Sequence, residues 1–298
     1  MSAPEVEARE AQAPHVVPRL VATRAGRPQK TPRYAAAPSA LTRWIILGVT
    51  GVIFIVPILA MIEFSLRQGQ TGAYGFEHYA AIFTAGEAGT YDVLFQGIAN
   101  SIGICIVTVA IVLVLLLPTM ILVELKYPKL RGVLEFVCII PITIPSIVLV
   151  VGFIPVYQVV ARLFGSNAWT LAFAVGIIVL PYAFRPIAAN LAAVEVVTLS
   201  EAARSLGANW GHVLWRVILP NLRPGILSAC FITIAVVLGE YTIASFLSQN
   251  TFQTALVLVQ HTDPYVAVIF AVFALVFAFI LLLIIGRLGS LGRNRRAA

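Results

Sequence analysis

Glu240 is the residue in this 298-residue chain whose setting most plainly raises a question of chemistry. It stands beside Tyr241 in the run VLGEYTIASFL, about seven residues before the outer end of an apolar segment, and therefore roughly 10 Å deep at 1.5 Å per residue. A charge there costs several kcal/mol unless it meets a cavity or a partner group, so a transport-pathway role and a hydrogen-bonded structural role are both open. Glu63 lies nearer a segment end and reads as an interfacial acid. His261 and Asp263 are close enough to suggest a metal or acid–base pair, but no third ligand accompanies them and the turn at Pro264 is the simpler reading. Cys105, Cys138 and Cys230 sit singly in apolar runs, as small buried hydrophobes do. Lys30-Thr31 is no phosphate loop, because Gln29 occupies the position of the second glycine. No catalytic triad order, zincin motif or cysteine redox pair is present. No catalytic site and no cofactor of the chain's own is expected; if ATP is used, another chain must hydrolyse it.

The elements that position these residues follow from composition. Hydrophobic residues make up 60% of the chain and charged residues 11%, against roughly a quarter charged in soluble domains. This predicts an all-α polytopic membrane protein with six helices near 41–66, 97–123, 133–160, 170–190, 226–247 and 265–285. Pro141, Pro145 and Pro155 suggest that the third is kinked or broken. Between the first two, the patch Tyr79, Ile82 and Phe83 suggests an interfacial helix. Of the 20 lysines and arginines, the outer side receives only Arg67 and Arg162, which orients both termini to the cytoplasm. The net charge of +7 is thus a membrane-topology signal and not a nucleic-acid footprint. Residues 1–40, rich in proline and arginine, read as a disordered basic tail. Residues 41–287 form the transmembrane domain, and 288–298 a second basic tail.

Between the fourth and fifth helices lies the polar interlude Thr198 to Pro220, TLSEAARSLGANWGHVLWRVILP. Thr198 and Glu201 have capping-box spacing and predict a helix start. Gly207 is suited to the positive φ that ends such a helix. Asn209 is suited to cap a second helix, along which Trp210, Val213, Leu214 and Val217 recur until Pro220 forbids extension. A short cytoplasmic helical hairpin with one apolar face is expected.

Glu201-Ala202-Ala203, three residues, Gly207, nine residues, and Val217-Ile218-Leu219-Pro220 together resemble the EAA loop of membrane permeases in binding-protein-dependent ABC importers. The runs PITIPSIVLVVGF, PYAFRPIAANL and VLGEYTIASFL resemble the polyamine, iron, sulfate and molybdate branch. The resemblance implies that Glu201, Ala202, Ala203, Gly207, Val217, Leu219 and Pro220 form a coupling loop that docks on an ATPase. Gly207 would supply the bend and Ala202-Ala203 the close approach. It further implies two ABC ATPase subunits that hold the ATP, a second permease subunit, an extracytoplasmic solute-binding protein, and a prokaryotic plasma membrane. A polyamine such as spermidine or putrescine is the first substrate expectation, with ferric iron, thiamine, phosphonate and sulfate or molybdate as alternatives. The competing class is an ion- or proton-coupled secondary transporter using Glu240 as relay; the absence of an inverted repeat and the single clear intramembrane acid oppose it.

Overall fold

The computed structural model describes residues 39–69, 73–86 and 91–294. The expected N-terminal tail through residue 38, and residues 295–298, lie outside them. The chain divides into residues 1–53, whose described part is the opening of the first helix, and residues 54–298, which hold all the packing discussed below.

Long apolar runs become helices because, away from water, only intrachain hydrogen bonding satisfies every peptide group. Helix α1 spans Ala40–Leu66. A two-residue antiparallel ribbon, β1 Arg67–Gln68 with β2 Ala73–Tyr74, follows, and Tyr74 donates to Glu63 Oε1 at 2.8 Å. The expected interfacial helix is α2, Glu77–Gly86, with Ile82 buried. Next come α3 (Asp92–Ile111), a π turn (Val112–Leu116) and α4 (Leu117–Lys126), one continuous run. After a 3₁₀ turn at Pro128–Leu130, α5 covers Arg131–Thr143 and α6 Ser146–Phe164. The fourth run is a 3₁₀ turn, Ala168–Leu171, then α7, Ala172–Val194. Helix α8 covers Val196–Ser205 and α9 Trp210–His212, and a π turn, Val213–Ile218, leads into α10, Leu219–Leu238. The chain closes with α11 (Thr242–Phe246), α12 (Phe252–Gln260) and α13 (Pro264–Asn294). Among the described residues, six helices are long and apolar enough to cross a membrane. The protein is an all-α, multi-pass membrane protein.

One expectation, the broken third helix, is met, and three change. The third run is two helices: Ile144 is extended (φ −100°, ψ 128°) because the following proline ring disfavours α geometry at the preceding residue, and Pro145 offers no N–H to Pro141. The fifth helix starts on the hairpin side and stops at Leu238, so Glu240 is not in it. Pro220 does not end the hairpin; it lies in the first turn of α10, where a proline costs no hydrogen bond, and the π turn just before it absorbs the change of register. The last helix continues to Asn294, so residues 288–294 are helical rather than tail.

The main core lies where α7 crosses α10 and α3, with Ile104, Val179, Ile187, Leu222 and Ala229 at 2% exposure or less. Gly225 permits the crossing: a Cβ there would sit 2.6 Å from the Asn190 Cβ and 2.9 Å from the Pro186 carbonyl. The Gly225 N–H also donates to Asn190 Oδ1 at 3.2 Å. A second core gathers Leu94, Phe252, Ala255, Val266 and Ile269 at the opposite end of α3. There Asn100 donates to the Asn250 carbonyl at 2.8 Å, Asn250 to the Val93 carbonyl at 3.1 Å, and the Phe252 N–H to Ser101 Oγ at 2.9 Å. The first and third satisfy backbone groups that the turn before α12 leaves open, and the second ties that turn to α3.

Candidate functional site: the hairpin before α10

Local chemistry shapes this hairpin. Gly207 adopts φ 86°, its N–H donates to the Arg204 carbonyl at 2.9 Å, and the Ala208 N–H donates to the Ala203 carbonyl at 3.1 Å. This is a Schellman closure, whose left-handed residue favours glycine. Asn209 then caps the next helix, its Oδ1 accepting from the His212 N–H at 2.8 Å. The beginning differs from the expected capping box. Helix α8 starts at Val196, after Glu195 in the left-handed region (φ 46°), and no side chain caps it. Val196 is 1% exposed, and its burial draws the helix start forward, leaving Thr198 and Glu201 inside the helix.

The motif residues divide into two groups. Glu201, Ala202 and Gly207 are exposed, while Ala203, Val217, Leu219 and Pro220 are half-buried, with Ala203 and Leu219 packed on the core. The first group lies on the outside of the hairpin and the second joins it to α10. Beside the exposed group, Leu206 is 88% and Trp215 72% exposed. Trp210 and Val197 are also exposed, so the hairpin presents both polar and apolar side chains on its outside.

Trp210 was legible only as one member of an apolar repeat, yet it ties the hairpin to another element. The Arg204 guanidinium lies 4.6 Å from its ring centroid, and the Lys126 ammonium 5.7 Å. Lys126 ends α4, so the basic turn 124–131 and the hairpin share one end of the bundle, as their charges require. Each contact is worth about 0.5–1 kcal/mol at an exposed site. Trp210→Ala is expected to loosen the hairpin by about 1–2 kcal/mol without unfolding the bundle. Amide exchange over 196–212 would rise several-fold while exchange in α7 stays unchanged; equal exchange in both proteins would remove the clamp.

Glu240 and Tyr241 are not part of this site. Glu240 lies twenty residues beyond Pro220, about 30 Å along the helix axis. Its carboxylate Oε1 accepts from the Ile243 N–H at 2.6 Å, so the acid caps α11 from the break after Leu238. Helix α11 packs on α6. Glutamine preserves an acceptor at this position and alanine does not. A purely capping role therefore predicts near-normal uptake and stability for Glu240→Gln and a loss of about 1 kcal/mol for Glu240→Ala. Uptake abolished by Glu240→Gln in a normally assembled protein would instead require the charge. At the other expected pair, Asp263 Oδ1 caps α13 by accepting from the N–H groups of Tyr265 and Val266, and its Oδ2 accepts from the Tyr91 hydroxyl at 3.1 Å. Among the described residues no His, Cys, Asp and Glu group is arranged to hold a metal.

Residues 121–289 match the family described as the binding-protein-dependent transport system inner membrane component. The chain is 25% identical over 227 residues to the spermidine/putrescine transport system permease protein PotB of Haemophilus influenzae, covering 68% of this chain and 74% of that one. It is 25% identical over 264 residues to the probable ABC transporter permease protein y4fN of Sinorhizobium fredii, covering 81% and 44%. It is 36% identical over 80 residues to the chloroplastic sulfate permease 2 of Chlamydomonas reinhardtii, covering 27% and 21%. The matched part is less than half the length of the latter two relatives.

Proposed function

Because the chain belongs to the family of binding-protein-dependent transport system inner membrane components, we propose that it is a permease subunit of an ATP-driven importer whose hairpin docks on an ATPase. The observation that carries this reading is the exposed surface of Glu201, Ala202, Leu206 and Gly207 on a hairpin continuous with the core helix α10. The second arm of the hairpin, Trp210–Ile218, runs unbroken into α10, so a push that reaches half-buried Val217, Leu219 and Pro220 reaches the α7–α10 crossing. Two ATPase subunits, a second permease and an extracytoplasmic binding protein complete the assembly, and both termini of this chain face the cytoplasm.

A polyamine is the proposed solute. The similarity to the spermidine/putrescine permease runs along most of both chains, whereas that to the sulfate permease is confined to 80 residues. Purification of the tagged chain from its native membrane tests the assembly. An ABC ATPase and a second permease in the eluate are expected. A chain that elutes alone, with uptake that collapses when the proton or sodium gradient is dissipated, would favour the secondary-transporter reading.

A further inference from the structure

The break between α5 and α6 opens a cavity of about 350 Å³, lined by residues 141–146 and 149 and by Ile178 and Tyr182 of α7. Its depth follows from two independent elements. Thr143 lies twelve residues along α5 from Arg131, and Tyr182 twelve residues before the end of α7 at Val194. Each is about 18 Å from the basic, hairpin side at 1.5 Å per residue, near the middle of a bilayer core roughly 30 Å thick.

Backbone that leaves the helix at this depth is tolerated only where protein covers it or water reaches it. This chain does not cover it: Ile144, Pro145 and Ser146 are exposed. The lining also leaves oxygen acceptors open. Pro141 and Pro145 have no N–H, and the Pro141 carbonyl has lost its helical donor because residue 145 is proline. The Leu149 N–H is already used by the Pro145 carbonyl at 3.1 Å. The Thr143 hydroxyl donates to the Ile140 carbonyl at 2.7 Å, so its lone pairs remain as acceptors. Ile147 and Val148, whose amides lie at the open start of α6, do not line the cavity. Ser146, through its N–H and hydroxyl, and the Tyr182 hydroxyl add donors to these acceptors, so the lining is polar, offers open carbonyl and hydroxyl oxygens, and carries no formal charge.

We infer that this cavity is a mid-membrane station for a solute rich in hydrogen-bond donors, a primary amine or ammonium, which exchanges part of its hydration for carbonyl and hydroxyl oxygens. Interrupted helices form solute sites in other transporters for the same reason. Without a counter-charge the station holds its solute loosely, as passage requires. The inference rests on the importer reading and deepens it, because nothing in that reading says where along the path the solute pauses.

The test uses the purified complex in liposomes, with Cys105, Cys138 and Cys230 changed to alanine and Ser146→Cys added. A membrane-impermeant, positively charged methanethiosulfonate is expected to label Cys at 146, and spermidine to slow labelling at least tenfold while sulfate at equal ionic strength does not. Labelling only by a lipid-dissolved maleimide would overturn the station, as would failure of spermidine to protect or equal protection by sulfate. Tyr182→Phe and Thr143→Val, which keep the fold, are expected to weaken spermidine protection several-fold; no change in either would also contradict the assignment. Scoring the same preparation for an ATPase separates the two claims. Failed protection with an ATPase present overturns the station alone, and absence of the ATPase overturns the importer reading.

Discussion

Glu201→Lys is expected to leave a folded, membrane-inserted chain that has lost its ATPase and at least nine-tenths of its uptake. Glu201 is exposed on α8, and its neighbours Ala202 and Ser205 leave the surrounding face open. Reversing its charge therefore changes chain stability by about 0.5 kcal/mol or less, as for other exposed substitutions. A docking surface responds differently. A lysine placed against a partner group chosen for a carboxylate costs several kcal/mol, from both the lost attraction and the new repulsion. Melting of the detergent-solubilised chain and co-purification of the ATPase, measured on one preparation, separate the two effects. Full ATPase recovery with Glu201→Lys would remove this face from the interface.

Gly225→Val is expected to have the largest effect on assembly. At this crossing the glycine faces the Pro186 carbonyl and the Asn190 Cβ, and the backbone atom has no rotamer by which to yield. Valine brings a Cβ and two methyl groups into a space that does not admit the first of them. Helices α7 and α10 must separate, at a cost of about 3 kcal/mol, and the Gly225–Asn190 hydrogen bond is lost as well. The expected result is low yield and a melting temperature lowered by several degrees, with Gly225→Ala intermediate. By contrast, Gly211 has only Asn209 Oδ1 at 3.5 Å in its path, and Gly211→Ala is expected to be well tolerated. A Gly225→Val protein of normal yield and stability would contradict the crossing.

What was legible in the sequence was local. Gly207 and Asn209 announce their backbone roles through their own chemistry, and the structure gives them φ 86° and a 2.8 Å cap bond. Hydropathy located the six long runs because membrane crossing averages over twenty residues. Its prolines announced the break at Ile144-Pro145, but the same averaging hid the one after Leu238, since the chain stays apolar through it. Glu240 looked like an acid within a helix for that reason, and only the capping bond to Ile243 places it at an end. The start of α8 was misread because the burial of Val196 outweighs a side-chain cap at Thr198. Trp210 showed only as a member of the apolar repeat: its partner Lys126 ends a helix distant in sequence, and nothing in either residue's neighbourhood joins them.

The account stands on the hairpin transmitting ATPase closure to α10, and the most direct measurement is solute uptake by proteoliposomes holding the co-purified assembly. With binding protein and spermidine on one side, uptake is predicted only when ATP is on the hairpin side, to persist when ion gradients are collapsed, and to disappear with Glu201→Lys while the chain stays folded. Uptake that needs no ATP and stops with the ion gradient, or that is indifferent to Glu201→Lys, would contradict it.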